Sequence, residues 1–129
     1  MHLKNNDSNH SFYVIGISYK KADAKLRGSF SLSPTKKVNI LKQGKAIGLN
    51  GLIATSTCNR TEIYGLVNDP NVLIKLLCEN TKGHFDVFKK VCYILKGSEA
   101  IEHMFRVGAG LDSQILGDFE IISQLKLSA

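Results

Sequence analysis

A chain of 129 residues, 43% of them hydrophobic, falls in the size range of one domain and can bury a real core. No run approaches the roughly 20 apolar residues of a membrane helix, and residues 1–9 lack the apolar stretch of a secretory signal, so the expectation is a cytoplasmic protein with no membrane partner. The net charge of +6 lies in the first third, where residues 1–45 carry nine Lys/Arg against two acids, and three scattered cysteines suit neither a disulfide framework nor a metal site.

Residues 1–11 read as a flexible polar tail. Residues 12–19 form a nearly unbroken apolar and aromatic run, short enough for a buried strand. Ser33 followed by Pro34 marks a helix start, since Ser can cap free amides and Pro suits the first turn. Val38 and Leu41 indicate its apolar side, with Gly44 and Gly48 at its end. Residues 52–57 and 61–67 read as two strands around the polar turn Cys58-Asn59-Arg60, with Ile63 and Val67 on one face.

Asp69 and Pro70 open a second helix, in which Val72, Leu73, Leu76 and Leu77 fall at helical spacing and which Gly83 closes. Residues 91–95 complete a β-α-β-β-α-β order, the split pattern of a ferredoxin-like α+β sandwich in which two helices cover one face of a four-stranded antiparallel sheet. Helices follow: Ser98 caps one with Ala100, Ile101, Met104 and Phe105 on one side, Gly108 and Gly110 break it, and residues 111–129 read as helical again.

Cys78 and Cys92 have apolar neighbours on regular elements and read as inert core thiols. Cys58 differs, because Thr57, Asn59 and Arg60 surround it at a turn where backbone amides and a guanidinium can favour a thiolate. The residues alone leave two readings, a surface thiol or a nucleophile. The lysine-rich N-terminal third is equally divided between a solvated face and a surface for a phosphate backbone: Lys20, Lys21, Lys25, Arg27, Lys36, Lys37, Lys42 and Lys45 serve either.

The run Thr57-Cys58-Asn59-Arg60-Thr61-Glu62-Ile63-Tyr64 resembles the active-site signature of the glutamyl-tRNA reductases. A second signature of that family is similar to Gly110-Leu111-Asp112-Ser113-Gln114-Ile115-Leu116-Gly117, and Ile15-Gly16-Ile17-Ser18-Tyr19-Lys20 resembles its first strand. The resemblance covers the chain from about Tyr13 to Ala129, and it implies a defined reaction. Cys58 would attack the ester carbonyl of glutamyl-tRNA, and the resulting thioester would be reduced by NADPH to glutamate 1-semialdehyde, the precursor of tetrapyrroles such as haem and other porphyrins.

By the same resemblance Thr57, Asn59 and Arg60 would bind the glutamyl moiety, Arg60 as the anchor of a carboxylate, and Ser113, Asp118, Phe119, Glu120 and Gln124 would line the rest of the pocket. His103 would be the family's histidine implicated in activity, as general base, substrate contact or positioning group. Two stretches depart from the family pattern: Gly108-Ala109-Gly110 stands for Ala-Ser-Gly, and Gly117-Asp118-Phe119-Glu120-Ile121 for Gly-Glu-Pro-Gln-Ile, with an acid at Glu120 in place of an amide.

Gly108-Ala109-Gly110 follows a helix rather than a strand, which is the wrong context for a dinucleotide fingerprint. The resemblance implies that NADPH binding and dimerisation belong to regions further downstream, so residues 12–129 are expected to be a catalytic domain truncated before them. The implied partners are glutamyl-tRNA, a second copy through those absent regions, and glutamate-1-semialdehyde aminomutase. The competing reading is a non-catalytic RNA-binding module on the same fold, although no Lys/Arg-Gly-Phe type motif is present to expose aromatics on the sheet.

Overall fold

A computed structural model of the chain describes residues 10–108 and the backbone of 114–116. The elements run β1 (Ser11–Ser18), α1 (Ala24–Ser29), α2 (Pro34–Ala46), β2 (Leu52–Ser56), β3 (Arg60–Val67), α3 (Asn71–Glu79), α4 (Phe85–Val91), β4 (Tyr93–Lys96), α5 (Ser98–Arg106) and β5 (Gln114–Leu116). The sheet has the order β4-β1-β3-β2-β5, every pair antiparallel. Its first four strands have the expected ferredoxin-like arrangement, with β1 and β3 at the centre.

Alternation along the strands divides the core in two. Ile15 and Ile17 of β1, Leu52 and Ala54 of β2, and Ile63 and Val67 of β3 face a large cluster with Ile40 and Leu41 of α2, Leu73, Ile74 and Leu77 of α3, and Phe88 of α4. Phe12, Val14, Ile53 and Tyr64 face the other way and pack against Ala100, Ile101 and Met104 of α5. Burying aliphatic and aromatic groups of this size stabilises by about 1.5–3 kcal/mol each. The second face is therefore covered, and the open sheet that RNA readers of this architecture present is occupied by α5.

Helix α2 starts as expected: Ser33 Oγ accepts from the Lys36 amide at 3.2 Å, and Pro34 opens the first turn. Its buried side is Ile40, Leu41 and Gly44, whereas Val38 is exposed. Gly44 does not end the helix. It lies one turn inside, where an added Cβ would come within 2.1 Å of Leu52 Cδ1, so the glycine lets helix and sheet approach.

Other boundaries differ from expectation. The segment between α3 and β4 contains α4, and its last residue is Val91, so β4 starts only at Tyr93. Helix α1 follows Asp23, whose side chain accepts from the Leu26 amide at 2.8 Å. Gly97, at φ +64°, rather than Ser98, occupies the cap of α5, and Phe105 is exposed. Residues 114–116, expected in a helix, pair with β2 as a short edge strand.

Candidate active site

The β2–β3 connection is built on Thr57. Its Oγ1 accepts from the amides of Asn59 and Arg60, both at 3.2 Å, while its own amide donates to the Arg60 carbonyl at 2.8 Å. This side-chain-to-backbone turn fixes the tip of the hairpin. Two further ties hold it down: the Tyr19 amide donates to the Asn59 carbonyl at 3.0 Å, and Arg27 Nε of α1 donates to the Cys58 carbonyl at 3.1 Å. Arg27 also donates from Nη1 to the Ala22 carbonyl at 2.6 Å. The contact between α1 and the tip has no local signal in the sequence, since it joins residues 31 positions apart.

Cys58 is exposed at this tip, its Sγ 3.9 Å from Asn59 Oδ1. Cys78 and Cys92 are half-buried against the large core, and burial pushes both thiols up from their ordinary range; beside Cys78 the Glu79 charge adds to this, while Lys89 near Cys92 acts against it. A raised thiol pKa leaves less thiolate at neutral pH, which separates these two from a working nucleophile.

Next to the tip lies an open cleft of about 710 Å³ lined by Tyr19, Lys20, Thr57, Asn59, Arg60, His103, Arg106 and Val107. The fold thus gathers Thr57, Asn59, Arg60 and His103, although 43 positions separate Arg60 from His103 in the chain. A smaller recess of about 240 Å³ adjoins it through shared Lys20, Arg60 and His103, and is closed by Ser18, Lys21, Val91, Tyr93 and Leu95. Ser113, Asp118, Phe119, Glu120 and Gln124 lie outside the described residues. Among the described residues no group of three or more His, Cys, Asp or Glu could hold a metal ion.

Beneath the cleft is a buried polar cluster that the sequence reading did not single out. Glu62 points from β3 toward α5 with no exposed surface. Its Oε1 accepts from the Tyr64 hydroxyl at 2.7 Å and its Oε2 from the Tyr93 hydroxyl; Oε2 also shares a hydrogen bond with Nε2 of His103, while Arg60 Nη1 stands 3.9 Å from Oε2. Burial above all, reinforced by the Glu62 charge and the hydrogen bond to it, pushes both phenols well above their ordinary range, so both remain protonated donors.

Gly16 makes the cluster possible. In the register of the sheet it lies between Glu62 of β3 and Tyr93 of β4. Tyr93 reaches Glu62 by crossing over it: a Cβ at Gly16 would stand 2.6 Å from both Cζ and Oη of that tyrosine. The side chain of His103 faces inward on the buried stripe of α5, beside Ala100 and Met104, with its ring 5.3 Å from that of Tyr93. The available signals were the acid and the tyrosine on one face of β3 and the glycine opposite Glu62.

Comparison with known proteins shows the family. The model of the "Glutamyl-tRNAGlu reductase, N-terminal domain" family matches residues 15–129. The chain belongs to that family. It is 60% identical over 119 residues to the glutamyl-tRNA reductase of Flavobacterium psychrophilum, covering 92% of this chain and 29% of the relative. The enzyme of that name from Christiangramia forsetii is 61% identical over 117 residues, covering 91% and 28%.

The solved structure of glutamyl-tRNA reductase from Methanopyrus kandleri superposes with a TM-score of 0.56 at 26% identity, over 95% of this chain and 27% of that one. The chain therefore spans under a third of the length of these relatives. No described helix is long and apolar enough to cross a membrane.

Two glycine substitutions test the architecture of the cluster. Gly16→Ala is expected to lower stability by about 1–3 kcal/mol, since the new methyl must displace a packed tyrosine ring. Gly28→Ala is expected to be neutral or slightly stabilising, because nothing lies within 4 Å of the added atom and alanine is the better helix former. Urea denaturation of the two variants measures both; equal midpoints would show that Tyr93 does not cross over Gly16.

Proposed function

We propose that this chain is the acyl-accepting part of an NADPH-dependent glutamyl-tRNA reductase, with Cys58 taking the glutamyl group from its tRNA. The observation that carries the reading is the placement of Cys58, an exposed thiol on a hydrogen-bonded tip beside a cleft lined by Thr57, Asn59, Arg60 and His103. In the reaction, Sγ adds to the ester carbonyl carbon, the bond from that carbon to the ribose oxygen breaks, and the proton lost by the thiol is balanced by one gained at the ribose hydroxyl. The product is a thioester, whose carbonyl is more electrophilic than that of the ester it replaces.

Arg60 anchors a substrate carboxylate, because its guanidinium lines the cleft and offers planar, paired donors. Asn59 and the Thr57 turn contribute hydrogen bonds nearby. Ser113, Asp118, Phe119, Glu120 and Gln124 complete the pocket by family resemblance. Lys20 and Arg106 on the cleft wall, with Arg27 against the Cys58 carbonyl, supply positive charge where the phosphates of the tRNA acceptor end arrive. A substrate carried on tRNA sets a cytoplasmic location.

Reduction to glutamate 1-semialdehyde, the step that commits the product to porphyrin and haem synthesis, requires hydride from a nicotinamide nucleotide. By the family resemblance that nucleotide is bound outside this chain, so the step assigned to it is acyl transfer. A homodimer and hand-over of the aldehyde to glutamate-1-semialdehyde aminomutase belong to the same proposal, through regions its longer relatives contain.

Mass spectrometry after mixing with glutamyl-tRNA and NADPH provides the main test. A glutamyl adduct is expected on Cys58, lost in Cys58→Ser and kept in Cys78→Ser and Cys92→Ser, with tRNA deacylated and no semialdehyde released by these 129 residues alone. An adduct on Cys78 or Cys92, or aldehyde formed at the rate of a longer relative, would refute the assignment. Arg60→Lys is expected to slow single-turnover transfer by roughly 10-fold or more, since a point charge cannot reproduce a bidentate contact; an unchanged rate would remove the anchor role.

A further inference from the structure

We propose that Glu62 is a positioning residue: its buried carboxylate, held in place by the hydroxyls of Tyr64 and Tyr93, fixes the imidazole of His103 so that Nδ1 is the nitrogen left for the cleft beside Cys58. The inference rests on the acyl-transfer reading and adds to it a function for three residues beneath the site.

Four groups converge on the carboxylate. Tyr64 comes from the same strand, Tyr93 from β4 across Gly16, His103 from α5, and Arg60 from the cleft side. Both phenols are donors. A carboxylate that receives two hydroxyl donors is itself an acceptor, so the hydrogen between Oε2 and His103 belongs to Nε2. In a neutral imidazole that assignment places the lone pair on Nδ1, the nitrogen then free to take a proton from a group in the cleft. The carboxylate is thus the orienter of a base that lines the substrate cleft, and the two tyrosines orient the orienter.

The arrangement is over-determined in a way that a stability role alone does not need. Oε1 is engaged by Tyr64, so rotation of the carboxylate about its last bond is blocked and Oε2 is held for His103. Tyr93 reaches the same oxygen, with its ring packed against the imidazole at 5.3 Å between centroids, which restricts the ring plane as well as the hydrogen bond. The Arg60 guanidinium, 3.9 Å from Oε2, offsets the buried charge while its side chain keeps 22% exposure on the cleft. Glu62 of β3 and Tyr93 of β4 thus contact His103 directly, while Arg60 of β3 and Lys20 line the cleft with it.

The test uses the intact protein labelled with ¹⁵N in its histidine rings and read by NMR without substrate, at a pH above which the ring nitrogen shifts no longer change, alongside single-turnover glutamyl transfer. The wild type is expected to show His103 as the Nε2–H tautomer. Glu62→Gln, which keeps the shape but offers an amide that can donate or accept, is expected to give mixed tautomers. Its transfer rate should fall on the order of 10²-fold or more with KM within about two-fold, as when an orienting carboxylate is exchanged for an amide.

If Glu62→Gln fails to fold, Tyr93→Phe serves instead. It keeps the ring and removes one hydroxyl, and is expected to loosen the tautomer preference and slow transfer by roughly 10-fold. A fixed Nε2–H tautomer, or an unchanged rate, in a folded variant of either kind overturns the proposal. Because the nitrogen shifts are read without tRNA, a wild type that forms no Cys58 adduct rejects the acyl-transfer reading separately.

Discussion

A carboxylate with no contact with water is the constraint around which this domain is arranged. Moving an ionised Glu from water into a protein interior costs several kcal/mol unless hydrogen bonds replace the solvent. Glu62 meets that requirement with two phenols and an imidazole, plus a guanidinium just beyond hydrogen-bond range. Each partner imposes something on the fold. Tyr93 requires a bare backbone at Gly16, His103 requires α5 to lie across the sheet, and Arg60 requires the hairpin tip to stay close. No buried side-chain nitrogen or oxygen among the described residues lacks a hydrogen-bond partner, which is the condition for such a cluster to be tolerated.

The two faces of the sheet consequently have different tasks. One is an ordinary aliphatic core with α2, α3 and α4 packed on it. The other changes character along its length, from Phe12, Val14, Ile53 and Tyr64 under Met104 to Gly16, Glu62 and Arg60 beside His103. Helix α5 serves both ends. Its apolar positions bury the first part, and His103, one position before Met104, brings a polar side chain to the second.

Local signals made much of the fold legible. The apolar runs gave the four main strands to within two residues, Ser33-Pro34 gave the start of α2, and the β-α-β-β-α-β order gave the topology. Helix α1 was missed because its six residues bury no side chain completely, leaving only the Asp23 cap as a sign. Helix α4 was missed because Phe88 is its one fully covered residue, and the Val91 that closes it resembles a strand start. At the site, the Cys58 motif was visible as a contiguous run. The Glu62 cluster was not, since its members are 31 and 41 positions apart and only the sheet register aligns them. Alternation marks Glu62 as a polar residue facing outward from the main core; only a covering helix converts that face into an interior.

Position along the chain sets the order in which the site can come into being. The hairpin of β2 and β3 closes a short loop and β1 pairs with it next, both before β4 and α5 exist on a growing chain. At that stage Glu62 is still hydrated, with only the tyrosine two residues away within easy reach. The contacts of Glu62 with Tyr93 and His103 form later, because β4 and α5 follow β3 in the chain. Water leaves the carboxylate when α5 docks, so the imidazole that faces the cleft arrives in the same event that dries the core beneath it. The exposed cysteine is in place early, but its setting is complete only once α5 has folded over the sheet.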